Sequence, residues 1–250
     1  MRRTSVYFIS LLVVTICGFG QIKAQDTLLI PLKIKVGLEV SGPATYYIEK
    51  KNLSTEGYIA VDLNEKTTIL LGAGYLNYKY SQYNYDYLSS GIFFKAGAEF
   101  NLLKPEKAMG KYWGGLGLHY GVSMFNSEVP SFHKDNYWGT LYSSIPRNTY
   151  WGHFIEATPG VRAELFRNFS IGWTISIRML VYSSASKAIR PIYFPGFGNG
   201  SKTISTGLSY FIVWNIPYKK ITVITKKEEP AEEPDDPSKP VIKQQSIINQ

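Results

Sequence analysis

Along most of the chain, apolar side chains alternate with polar or small ones, the period of a strand whose two faces meet different surroundings. Leu32, Ile34, Val36, Leu38 and Val40 alternate with Lys33, Lys35, Gly37 and Glu39. Phe169, Ile171, Trp173, Ile175, Ile177 and Met179 alternate with Ser170, Gly172, Thr174, Ser176 and Arg178. Ile204, Thr206, Leu208, Tyr210, Ile212 and Trp214 do the same against Ser205, Gly207 and Ser209. Between these runs the pattern predicts strands over 54–63, 67–78, 90–102, 112–125 and 152–166. Ile92, Phe94, Ala96, Ala98, Phe100 and Leu102 share one face of the fourth strand. In the third, Leu70, Leu71 and the stretch Gly72 to Gly74 blur the phase, and Ile69, Leu71, Ala73 and Tyr75 form its apolar face. Runs of this length suit a bilayer crossing, for which a tilted strand needs about 9 to 11 residues, against about 5 to 6 in an ordinary soluble sheet.

The spacing between strands adds direction. Short connections at Asn64–Lys66, Leu103–Lys111 and Arg167–Asn168 alternate with long ones at Ser41–Leu53, Lys79–Ser89, Asn126–Trp151 and Ser183–Lys202. An even number of strands with this alternation predicts an all-β fold, a single eight-stranded antiparallel up-and-down transmembrane barrel, its short turns periplasmic and its long loops outside. In that orientation Phe100, Tyr112, Phe169, Trp214 and Tyr218 face outward at the periplasmic ends of their strands, where an aromatic girdle belongs. The opposite face carries Lys33, Lys35, Glu39, Glu56, Asp62, Lys95, Glu99, Glu156, Arg162, Glu164 and Arg178. Gly37, Gly97, Gly115, Gly117 and Gly121 stand among them, as a cramped lumen requires, and six acids against five bases read as a salt-bridged plug. The opposite arrangement, with the apolar face turned inward, gives a soluble lipocalin-like ligand carrier.

The two ends of the chain break the pattern. Residues 1–24 read as a secretory signal, with Arg2 and Arg3 before an apolar run from Val6 to Gly20 and Ala24 before a cut. That run is too short to cross a membrane as a helix. Its Cys17 is the only cysteine, and Ile16 before it does not suit lipid attachment, so residues 25–250 have no thiol for disulfides, catalysis or metal. The barrel is placed over 25–218 and the remainder, 219–250, reads as a disordered periplasmic tail. Glu228 to Asp236 holds six acids and no base, with Pro237 and Pro240 beyond, the composition of a stiff solvated spacer. After it come Val241, Ile242, Ile247 and Ile248, available for docking a partner.

Composition fits this picture, with 15% aromatic residues, 22 Gly and only 18% charged residues. The net charge of +8 falls to +5 when Arg2, Arg3 and Lys23 leave with the signal, and no basic run of nucleic-acid type occurs. The signal ending in Lys23, Ala24 and Gln25, the eight long strands and the closing Ser205, Gly207, Tyr210, Ile212 and Trp214 resemble the small outer-membrane barrels of Bacteroidota, including families of unknown function. That resemblance implies a bacterial outer-membrane location, and in some small barrels a His and Ser pair at the outer rim that acts on lipid A or phospholipid.

Here His119, His133 and His153 stand in no recognisable motif, and neither metal-ligand spacing nor a phosphate loop occurs. No cofactor is expected. The long loops are rich in aromatics, Tyr78 to Tyr87 in one, Tyr137 to Trp151 in another, and Tyr193, Phe194 and Phe197 in a third, which suits either contact surfaces or packing at the rim. The resulting expectation is a non-enzymatic scaffold or accessory subunit of an envelope complex. It is embedded in outer-membrane lipid and reaches protein partners through its tail or outer loops, with a rim hydrolase as the rival reading.

Overall fold

The computed structural model describes residues 27–50, 52–185 and 191–224. The segment read as a signal and the proposed docking residues Val241, Ile242, Ile247 and Ile248 lie outside the described residues. In chain order the elements are β1 (Thr27–Glu39), α1 (Ser41–Glu49), β2 (Leu53–Asp62), β3 (Thr67–Gln82) and β4 (Tyr85–Asn101). Then follow α2 (Pro105–Ala108), β5 (Tyr112–Asn136), β6 (Gly139–Phe166), β7 (Phe169–Ser183), β8 (Tyr193–Phe194), β9 (Gly198–Asn199) and β10 (Ile204–Ile224). Eight of the strands form one sheet in the order β1-β10-β7-β6-β5-β4-β3-β2 that closes on itself, because β1 borders both β2 and β10. At the closing seam the Val40 N–H donates to the Tyr210 carbonyl at 2.9 Å. Closure gives the wall no unpaired edge to protect.

Alternation is the reason these residues make this wall. Ile69, Leu71, Phe94, Ile175, Ile177, Leu208 and Ile212 are exposed on the outside, while their neighbours Leu70, Lys95, Thr174, Ser176 and Phe211 are buried inside. In the blurred third strand, Ile69, Leu71 and Tyr75 point outward and Leu70 and Leu76 inward. The apolar-inward carrier therefore does not describe this chain: charged and hydroxyl side chains share the interior with smaller apolar clusters, and aliphatic side chains cover the exterior.

The turns at the short-connection end are set by local chemistry. The Asn64 side chain accepts the Lys66 and Thr67 N–H groups at 2.9 and 2.6 Å, an Asx turn between β2 and β3. Asn168 takes a left-handed φ of 67° between β6 and β7, which asparagine tolerates better than most residues.

Four details depart from the sequence reading. Leu32 is buried rather than outward: β1 joins β2 only from Ile34, paired with Val61, and before that point Leu32 and Lys33 are both enclosed beside the β4–β5 turn. The described parts of the long connections hold regular structure. Lys79–Ser89 and Asn126–Trp151 continue the strands into hairpins that turn at Tyr83–Asn84 and Tyr137–Trp138. Ser41–Leu53 holds α1, whose first turn is capped by the Glu39 carboxylate through the Ser41 hydroxyl and the Gly42 N–H. β10 runs to Ile224, six residues past Tyr218. Pro217, Lys219 and Lys220 look like a terminus in sequence, yet Ile221 and Val223 keep the strand period.

Gly121 marks how little room the lumen leaves. A Cβ there would stand 2.2 Å from the Phe154 ring, just as one on Gly37 would stand 2.3 Å from Tyr58. Gly121→Val should therefore destabilise the barrel by about 1–3 kcal/mol through overpacking. Urea unfolding in lipid vesicles measures this, and an unchanged midpoint would show that the interior is looser than described.

Candidate functional site

The lumen is built from the inward positions of all eight long strands, and it holds every one of the eleven charged residues picked out by sequence parity. Near the short-turn end, the Lys33 ammonium pairs with Glu164 and donates to the Gly110 carbonyl, while Lys35 pairs with Asp62. Asp62 also accepts the Thr68 hydroxyl at 2.6 Å. One level deeper, Arg162 pairs with Glu99, donates to the Tyr58 hydroxyl at 3.1 Å and lies 4.2 Å over the Trp113 ring. At the centre, Lys95 bridges Glu56 at 2.6 Å and Glu156 at 2.8 Å, and Arg178 reaches Glu156 at 2.7 Å. All five bases thus have an acidic partner, the condition under which buried charge is tolerable. Glu39 is the acid left over, and it is spent on the α1 cap.

Glu156 is the centre of this arrangement, fully buried between two cations, with His119 Nδ1 3.5 Å away. The three histidines are not brought together. His119 is in the lumen, His153 faces outward beside the Tyr120 hydroxyl at 2.9 Å, and His133 lies on the β5 extension against Tyr83 and Tyr142. Among the described residues no group of three or more His, Cys, Asp or Glu side chains is arranged to hold a metal.

A second, aromatic layer lies above the ion pairs. In the connection after β7, whose aromatics suit either a contact surface or packing at the rim, β8 and β9 form a small hairpin in the outer mouth, where Phe194, Pro195 and Phe197 are fully buried. Phe194 stacks on Phe125 with ring centres 5.1 Å apart and on Phe197 at 4.7 Å, and Phe197 meets Phe154 at 6.1 Å. The Tyr87 hydroxyl donates to the Tyr193 carbonyl at 3.1 Å, fastening the hairpin to β4. Gly196, at φ 73°, makes the turn where a Cβ would meet Phe93 at 2.6 Å. The signal was present in the sequence: Phe93, Phe125 and Phe154 have inward parity, so an apolar outer lumen required something apolar to fill it.

On the outside, Phe100, Tyr112, Trp214 and Tyr218 are exposed and Phe169 partly so, all at the short-turn end. Trp214 and Phe169 are paired across β10 and β7. The Tyr218 hydroxyl donates back to the Asp62 carbonyl. At the opposite end the long hairpins carry Tyr83, Tyr137 and Trp138 almost wholly exposed. There the Ser81 and Ser131 hydroxyls both donate to Asp86, tying β3, β4 and β5 together beyond the wall.

A family model described as a domain of unknown function (DUF6048) matches residues 4–221. Among solved structures, the chain is similar to Ail, the attachment invasion locus protein of Yersinia pestis, at 8% identity and a TM-score of 0.37, over 77% of this chain and 99% of that one. It is also similar to the N-terminal β-barrel domain of Pseudomonas aeruginosa OprF, at 12% identity and a TM-score of 0.31, over 78% of this chain and 100% of that one. No curated protein matches.

Proposed function

We propose that this chain, which belongs to the family described as a domain of unknown function (DUF6048), is a non-enzymatic outer-membrane β-barrel that serves as a scaffold or accessory subunit of an envelope complex. The observation that carries the membrane reading is the inversion of the wall: a continuous aliphatic exterior around an interior of paired charges. In water that exterior would be an apolar patch far beyond what a monomeric soluble protein shows. In lipid it is the required surface, and closure satisfies the backbone without an exposed edge. Short turns face the periplasm and the long hairpins the outside, by the rule for bacterial barrels.

The scaffold reading rests on what the interior and the loops offer. The lumen is filled by ion pairs below and stacked phenyl rings above, which favours neither conduction nor a substrate channel. The separated histidines favour no His and Ser hydrolytic pair. Surface available for partners remains at the tips, around Tyr83, Tyr137 and Trp138.

Two measurements test the proposal. Ile175→Arg, on the lipid face, should cost about 2–4 kcal/mol in vesicles, whereas Tyr137→Arg at a hairpin tip should cost nothing comparable. Equal tolerance of both removes the membrane assignment. Purification from native membranes should recover a stoichiometric protein partner, with the cellular lipid profile unchanged by Ala at His119, His133 and His153. A monomer with a His-dependent lipid change would replace the scaffold with a hydrolase.

A further inference from the structure

The short-turn end carries more than an aromatic girdle. Lys66 in the β2–β3 turn, Lys107 and Lys111 in the β4–β5 turn and Arg167 in the β6–β7 turn all have exposed side chains. Lys219 and Lys220 continue the series on the last strand, also exposed. Against these bases the same turns and strand extension supply only Glu65 and Glu106. The nearby lumen acids Asp62 and Glu164 are already engaged by Lys35 and Lys33, so they do not offset the collar. At the other end Lys50, Lys79, Lys134, Arg147 and Lys202 stand with Glu49, Asp86, Glu128 and Asp135, and the sequence adds Lys51, Lys187 and Arg190, so bases are in excess there too.

Directly beside the basic turns the wall exposes Leu63, Leu102, Phe166, Trp214 and Tyr218, side chains that rest at the level where acyl chains give way to headgroups. Long basic side chains just beyond that level extend to phosphate depth. Such bases attract anionic lipid within a Debye length of the surface.

We infer that the collar of bases on the short turns binds anionic glycerophospholipid headgroups of the adjoining leaflet, selecting them over zwitterionic ones around the barrel. This rests on the membrane reading above and deepens it by naming the lipid class and the residues that select it. Lys33, Lys35, Lys95, Arg162 and Arg178 take no part, because their charges are turned into the lumen and paired.

The test is tryptophan quenching in vesicles that mix phosphatidylcholine with phosphatidylglycerol, the brominated acyl chains being carried by one lipid or the other. The full chain should be quenched by brominated phosphatidylglycerol with an apparent preference of roughly fivefold, the effect of one base at full strength. Replacing Lys66, Lys107, Lys111, Arg167, Lys219 and Lys220 together with Gln should bring the preference close to one. Replacing Lys79, Lys134, Arg147 and Lys202 at the opposite end should leave it intact, and raising salt should weaken it. Equal quenching by both lipids, or a preference unaffected by the collar substitutions, overturns the inference while leaving the membrane assignment standing. Absence of quenching by either brominated lipid overturns the membrane assignment itself. Quenching by brominated phosphatidylcholine also reports whether the substituted barrel still inserts, so a folding failure is recognised as such.

Discussion

Glu156→Ala should be among the most damaging single substitutions in the barrel, costing about 3–5 kcal/mol, because it leaves buried cations behind rather than removing a pair. Arg178 would lose its carboxylate partner, and Lys95 would keep only Glu56. The cost should be largely recovered when Arg178 is replaced with Met in a Glu156→Leu background, since a pair exchanged for apolar groups of similar volume is often neutral or better. Equilibrium unfolding in urea with the protein in vesicles gives both numbers. If Glu156→Ala unfolds at the wild-type midpoint, the central ions are hydrated independently of each other and the lumen is not a dry plug.

The second large effect is expected at the outer seal. Phe194→Ala removes a ring packed between Phe125 and Phe197 and should destabilise the protein by about 3–5 kcal/mol, the range for emptying a buried aromatic site. Planar-bilayer recordings on the same variant should nevertheless show no sustained conductance, because the ion pairs below the hairpin are untouched. A steady current would mean that the aromatic hairpin alone closes the lumen. A wild-type midpoint would mean that the hairpin rests on the barrel without packing into it.

Parity made much of this arrangement legible from sequence. A strand displays one face to each environment, so the side on which Lys95 or Glu99 belongs follows from where Phe94 and Phe100 stand, and no tertiary information is needed. Parity gives only the face, however, and not the partner across the lumen. That Arg162 would stack on Trp113 and reach Tyr58 depends on which strands oppose each other around the closed wall. The Phe194 hairpin was missed for a related reason. A run with Pro191, Pro195, Gly196, Gly198 and Gly200 carries turn signals and no strand period, and turns are read as exposed unless the apolar residues between them are asked what they cover. Leu32 failed where the period itself fails, just before β1 gains its partner strand β2.

The seam between the first and last long strands has a consequence for how the protein is made. Every other neighbouring pair in the wall is joined by a connection that follows directly in sequence, so each can begin to zip as soon as its hairpin exists. Val40 and Tyr210 have no such help: their meeting requires almost the whole barrel to be in place, and the chain entropy of that loop is recovered only at the final step. Until then β1 and β10 each present an unsatisfied edge. Both strands also run past the register of their inner neighbours, β10 beyond Trp214 and β1 ahead of Ile34. The late step is therefore the one at which the unclosed barrel is open to pairing with a foreign strand.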